Sequence, residues 1–150
     1  MKKLEFIVKD EPYGKERPRL SRFGTYTPKT TLSKENYIKF ITQKEMFENN
    51  ITIFENAIYV ELEFIFTRPK SVSVKRRPNH TVKPDVDNCI KLTLDAMNKI
   101  AYKDDNLIIA LAAKKRYVKK EETAKTIIKI MEVEWWRIYM FCHGIMPESK

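Results

Sequence analysis

The run Ala57-Ile58-Tyr59-Val60-Glu61-Leu62-Glu63-Phe64-Ile65-Phe66-Thr67 decides the fold class. Ile58, Val60, Leu62, Phe64 and Phe66 alternate with Tyr59, Glu61, Glu63 and Ile65, and period two is the mark of a strand with one face on a core. Leu4, Phe6 and Val8 alternate in the same way with Glu5, Ile7 and Lys9, which predicts a short half-buried strand at the start. Residues 107–117 and 123–133 read as a further pair of strands, joined by a turn at Lys119-Lys120-Glu121-Glu122. A helix is expected to begin near residues 30–33, where Thr31 or Ser33 can cap it and Glu35 falls in the first turn. Tyr37, Phe40, Ile41 and Phe47 would form its apolar face. A second helix is expected over residues 85–98, with Ile90, Leu94 and Met97 along its buried stripe. Residues 11–24 hold two of the three glycines and two prolines, so they read as loop, as do residues 68–83. The expected architecture is α+β, a single domain with a mixed β-sheet of about four strands packed with two main helices. Residues 1–134 would form that domain. Residues 135–150 would be an aromatic tail packed on it or at a dimer interface.

The chain has 150 residues, 43% of them hydrophobic, enough for one real core and too apolar for a disordered chain. Lys and Arg number 29 against 20 Asp and Glu, a formal charge of +9, which favours a polyanionic partner. Two cysteines, Cys89 and Cys142, make no disulfide framework, and His80 and His143 lack zinc spacing. The first apolar stretch is too short for a signal peptide and carries Glu5, and no run approaches the ~18 apolar residues of a membrane span. A soluble, cytoplasmic protein without membrane contact is expected.

Chemistry concentrates in Lys83-Pro84-Asp85-Val86-Asp87-Asn88 and Asp104-Asp105. Carboxylates two residues apart can approach one hard cation from different directions, and Mg²⁺ needs only a few because it keeps several waters. Helical spacing puts Asp87, Lys91 and Asp95 on one face, bringing an ammonium close to the acids. Other readings stand beside this one. Asp85 or Asp87 could cap the helix, Asp87 and Lys91 could form an i, i+4 pair, and Asp104-Asp105 could belong to a turn. An EF-hand loop is excluded, since its glycine and final glutamate are missing. Capping needs only one acid, whereas several together repel unless cations intervene. Two basic runs precede the cluster in the chain, Lys15, Arg17, Arg19, Arg22 and Lys29, then Arg68, Lys70, Lys75, Arg76 and Arg77. An acidic metal site accompanied by such runs suits a phosphodiester. Phe23 and Tyr26, within the first basic run, would either stack on bases or pack onto the core.

Lys-Pro-Asp-Val-Asp-Asn at 83–88, Lys91, Leu94-Asp95-Ala96-Met97-Asn98 and Ala101-Tyr102-Lys103-Asp104-Asp105 together resemble the RusA-like Holliday junction resolvases of bacteria and their phages. Gly14-Lys15-Glu16-Arg17-Pro18-Arg19 followed by Tyr26-Thr27-Pro28 is similar to that family's N-terminal basic loop. Order and spacing agree from residue 3 to about 134. The resemblance implies a homodimeric endodeoxyribonuclease that nicks four-way DNA junctions symmetrically in recombination and repair, with Mg²⁺ (or Mn²⁺ in its place) and no small-molecule cofactor. It assigns Asp85, Asp87 and Asp105 as metal-binding aspartates, Lys91 as the catalytic lysine, and Asp95 and Asp104 as supporting acids. Lys15, Arg17, Arg19, Arg22, Arg68, Lys70, Lys75, Arg76 and Arg77 are then the expected DNA contacts. The alternatives are a nucleic-acid-binding module whose acids are structural, and a nuclease acting more broadly on branched DNA.

Overall fold

A computed structural model describes residues 1–133, so the expectations for the 135–150 tail and for Cys142 and His143 lie outside the described residues. The elements are β1 (Lys3–Val8), β2 (Arg19–Ser21), β3 (Gly24–Tyr26), α1 (Lys29–Glu48), β4 (Ile58–Phe66), α2 (Val86–Met97), a 3₁₀ turn (Asp105–Leu107), β5 (Ile108–Tyr117) and β6 (Lys125–Glu132). Four strands form one mixed sheet in the order β1-β6-β4-β5. β6 runs antiparallel to both β1 and β4, while β4 and β5 run parallel. The α+β class, the single domain and the four-stranded mixed sheet are as expected.

The strands at 108–117 and 125–132 exist but do not pair with each other, because β4 lies between them. A parallel neighbour needs a crossover, and α2 provides one between β4 and β5. The short connection after β5 then passes over the end of β4, where the Val118 amide donates to the Phe66 carbonyl at 2.9 Å. Part of the 11–24 stretch expected as loop instead joins residues 25 and 26 in a two-stranded antiparallel ribbon of β2 and β3.

One face of the sheet carries Leu4, Phe6, Val8, Val60, Leu62, Phe64, Ile128 and Ile130, all buried. Full burial of each such side chain contributes roughly 1.5–3 kcal/mol. α1 packs against α2 and β1, and α2 also packs against β5. Cys89, Leu92, Ala96 and Met97 are the buried stripe of α2, whereas Ile90 and Leu94 are only partly covered. α1 begins earlier than expected, at Lys29. Pro28 occupies the cap position, and no side chain caps the helix. The fixed φ of proline suits a helix start, and the Pro28 carbonyl accepts from the Leu32 amide at 3.2 Å.

The inward face of α1 also differs from the expected one. Thr31, Ile38, Thr42 and Met46 are buried, while Phe40 and Phe47 are 60% and 84% exposed. Apolar residues are scattered all round this helix, so periodicity does not select one face. Ion pairs fasten it to the segment after β1, Lys34 with Asp10 and Glu35 with Lys15. The Thr42 hydroxyl is satisfied by the Ile38 carbonyl at 2.8 Å.

The return from α2 to β5 is anchored on Phe54, which is fully buried. The Phe54 amide donates to the Ala101 carbonyl at 2.8 Å, and the Lys103 amide donates to the Phe54 carbonyl at 3.0 Å. Tyr102, also fully buried, donates its hydroxyl to the Leu94 carbonyl at 2.7 Å. No helix among the described residues is long and apolar enough to cross a membrane.

Phe54→Ala should destabilise the fold by about 3–5 kcal/mol, the usual range for an emptied aromatic site. Urea denaturation with an unchanged m-value checks this. On the outer face of the sheet, Arg116 bonds Glu122 at 2.6 and 2.9 Å, and this contact holds the Glu122 carboxyl well below its ordinary range. A carboxyl lowered in the folded state contributes stability above the unfolded pKa of ~4.3 and loses it as the pH falls towards the folded value. The thermal midpoint should therefore fall more steeply below about pH 4 for the natural chain than for Glu122→Gln.

Candidate active site

Asp85 follows a segment that is clamped from the sheet. The Lys115 ammonium, on β5, donates to the carbonyls of Val82 and Pro84, each at 2.8 Å. Asp85 then stands at the N-cap of α2 with extended backbone, and its carbonyl accepts the Cys89 amide at 3.2 Å. Its carboxylate makes no capping hydrogen bond, so the capping alternative does not account for it. Asp87 sits in the first helical turn, where the helix dipole favours a negative charge. Both aspartates are exposed. Lys91 is exposed one turn further on, and the i, i+4 pair with Asp87 does not form among the described residues.

The opposite wall is the basic loop. The Lys15 amide donates to the Asn88 carbonyl at 2.9 Å. The loop approaches so closely that a Cβ on Gly14 would meet the Pro84 Cβ at 2.6 Å and the Asn88 Cβ at 3.3 Å. The Lys15 ammonium reaches past this contact to Glu35 at 2.7 Å and Asp95 at 2.5 Å, joining the loop to both helices. Burial alone would lower the Lys15 pKa, but the bonds to Asp95 and Glu35 outweigh it and hold the ammonium above its ordinary value. The result is an open groove of about 650 Å³, lined by residues 12–17 on one side and by Lys83, Pro84, Asp85, Asp87 and Asn88 on the other.

Asp85, Asp87 and Lys91 thus share the start of α2, but the other acids lie elsewhere. Asp95 is paired with Lys15. Asp104 accepts from the Asn106 amide at 3.1 Å and starts the 3₁₀ turn, and this bond lowers its pKa. Asp105 is exposed beyond the C-terminal end of α2, where Asn98 bridges to Tyr102. Among the described residues no three His, Cys, Asp or Glu side chains converge on one metal position. The Asp85 and Asp87 pair alone still fits Mg²⁺, which takes one or two carboxylates and keeps its waters. Burial pushes the Cys89 thiol up to about 11, so it is no nucleophile.

The expected DNA contacts divide into two groups. Arg19 is paired with Glu16 at 2.9 Å. Arg68 donates to the Arg77 and Pro78 carbonyls and lies 4.0 Å over the Tyr117 ring, which holds the 68–83 loop in place. Arg77 donates to the Tyr117 hydroxyl at 3.4 Å. With Lys15, these side chains serve the scaffold. Arg17, Arg22, Lys70, Lys75 and Arg76 are exposed, and their side chains pair with none of the described residues. The sequence reading gave Lys83 no role beyond its motif, although it lines the groove, and missed the clamp Lys115. The signal for Lys115 was its place two residues from both Ala113 and Tyr117 on the helix-facing side of β5, opposite buried Phe64.

Gly14→Ala should push the loop off Pro84 and Asn88, since neither neighbour is the free end of a flexible side chain. Amide exchange at Lys15 should quicken while the sheet amides stay protected, which hydrogen-exchange NMR would read.

A Bacillus subtilis (strain 168) protein named Uncharacterized protein YqaN is 28% identical over 140 residues, covering 87% of this chain and 96% of that protein. The family described as Endodeoxyribonuclease RusA matches residues 10–131, which include both walls of the groove and the five candidate aspartates, Asp85, Asp87, Asp95, Asp104 and Asp105. The chain belongs to the RusA endodeoxyribonuclease family.

Proposed function

We propose that this protein is a Mg²⁺-dependent endonuclease that resolves four-way DNA junctions by paired symmetric nicks, and that it works as a homodimer in recombination and repair. One observation carries the reading: Asp85 and Asp87 present two exposed carboxylates on the wall of an open groove whose opposite wall carries the exposed Arg17, unpaired among the described residues. Neither carboxylate is spent on a cap or on an ion pair among the described residues.

Asp85 and Asp87 would hold the metal, with Asp105 as the third ligand. Bound there, Mg²⁺ (or Mn²⁺) supplies Lewis-acid polarisation of a phosphate oxygen and a more acidic water. α2 has 12 residues, about 18 Å at 1.5 Å each, which keeps Asp105 of the same subunit away from the pair. In a C₂ dimer, Asp105 of a second copy can complete the set, and two equivalent sites suit two matched nicks. Lys91, one turn along from Asp87, neutralises the charge that builds on the phosphate. Arg17 and Lys83, on opposite walls, hold the backbone on either side, so affinity falls with salt.

The test uses purified protein on a labelled immobile junction with Mg²⁺, with EDTA, and with Asp85→Asn. Paired symmetric nicks are expected only for the natural chain with Mg²⁺, while Asp85→Asn keeps its junction binding. Cutting by Asp85→Asn would sink the site assignment. Lys91→Ala should slow nicking roughly 100-fold with little change in binding. Equal rates on flaps and forks would point to the broader branched-DNA nuclease.

A further inference from the structure

The β2–β3 ribbon is exposed at all six of its residues. Its tip is the two-residue turn Arg22-Phe23, closed by the Ser21–Gly24 pair. Phe23 is 96% exposed and Leu20 is 86% exposed. Phe23 does not pack onto the core, so the loop-packing reading fails for it. The turn is tied down by its own residues: Ser21 Oγ accepts from the Phe23 amide at 3.2 Å and donates to the Gly24 carbonyl at 2.9 Å. Gly24 has a φ of +115°, a conformation that other residues rarely adopt.

The base of the ribbon is joined to the groove. Glu16 bonds both Arg19 and the Tyr13 hydroxyl, and Lys15 is fastened to α2 as described above. From Arg19 to the turn is three residues, about 10 Å at ~3.3 Å each. That is about three base steps of stacked DNA at ~3.4 Å each. Arg17 and Arg22, at the root and tip, have exposed guanidinium groups that pair with none of the described residues.

We propose that this ribbon is a stacking wedge, in which Phe23 and Leu20 enter the interrupted base stack of branched DNA while Arg17 and Arg22 rest on flanking phosphates. The inference builds on the junction reading of the groove. Guanidinium groups alone would serve for phosphate contact. A fully exposed Phe23 at a charged tip, with exposed Leu20 next to the closing pair, finds a broad apolar face on DNA where bases are unstacked. A continuous duplex closes that surface and a branch point opens it. The wedge thus adds a preference for branched substrates within a few base steps of the cut.

The experiment uses the full chain in EDTA, where nothing is cut, and a four-way junction carrying 2-aminopurine either at the branch point or within an arm. The natural chain should change the emission of the branch-point probe and leave the arm probe unchanged. Phe23→Ala should abolish that change and reduce the preference for junction over linear duplex about tenfold. Leu20→Ala with Phe23→Ala should reduce it further, and Phe23→Trp should restore both readouts. An unchanged branch-point signal in Phe23→Ala, or none in the natural chain, overturns the wedge. So does a loss of preference that follows dissociation into a smaller species by light scattering, which would assign the ribbon to a contact between copies. Metal-dependent nicking is measured separately, so a natural chain that binds through the ribbon but never cuts would refute the nuclease reading and leave the wedge standing.

Discussion

Where the basic loop meets the first turn of α2, Gly14 lies against Pro84 and Asn88, and the Lys15 ammonium passes beyond them to Glu35 and Asp95. That one lysine joins the loop, α1 and α2. It is about one-quarter exposed, so solvent screens these pairs only in part. Loss of the lysine would leave two carboxylates poorly compensated. The two walls of the groove meet at this junction, and the ribbon begins four residues beyond it.

The second support comes from the sheet. Lys115 bonds two carbonyls just before Asp85 and so fixes the backbone that leads into α2. Arg68 and Arg77 do comparable work for the preceding loop through Tyr117 and neighbouring carbonyls. Cations that would pass for phosphate contacts by composition are therefore partly committed to shaping the loops. The exposed set, Arg17, Arg22, Lys70, Lys75 and Arg76, carries the charge available to a polyanion. The division is between cations that meet protein oxygen atoms and cations that meet water.

Much of this was legible from pattern alone. β4 and β1 announced themselves because a sheet with one face on a core forces period-two alternation. α2 was legible from its turn and its acids, although of the expected stripe only Met97 is fully buried and Ile90 and Leu94 are partly covered. α1 was legible as a helix but not in its orientation, since its inward face contains two threonines and its outward face two phenylalanines. The ribbon was hidden too: all six of its residues are exposed, so its strands carry no burial pattern to read.

The sequence by itself determined the two helices and the four sheet strands, the placement of paired acids at a helix start, the basic runs and the family. These are local properties, written in spacing and composition. Only the tertiary structure decided that β4 separates β5 from β6, which cations stay free, and that Asp85 and Asp87 are unspent while Asp95 is taken by Lys15, 80 residues away in the chain. Such outcomes depend on contacts between distant segments, and no local pattern records which of several possible partners a charged side chain will meet.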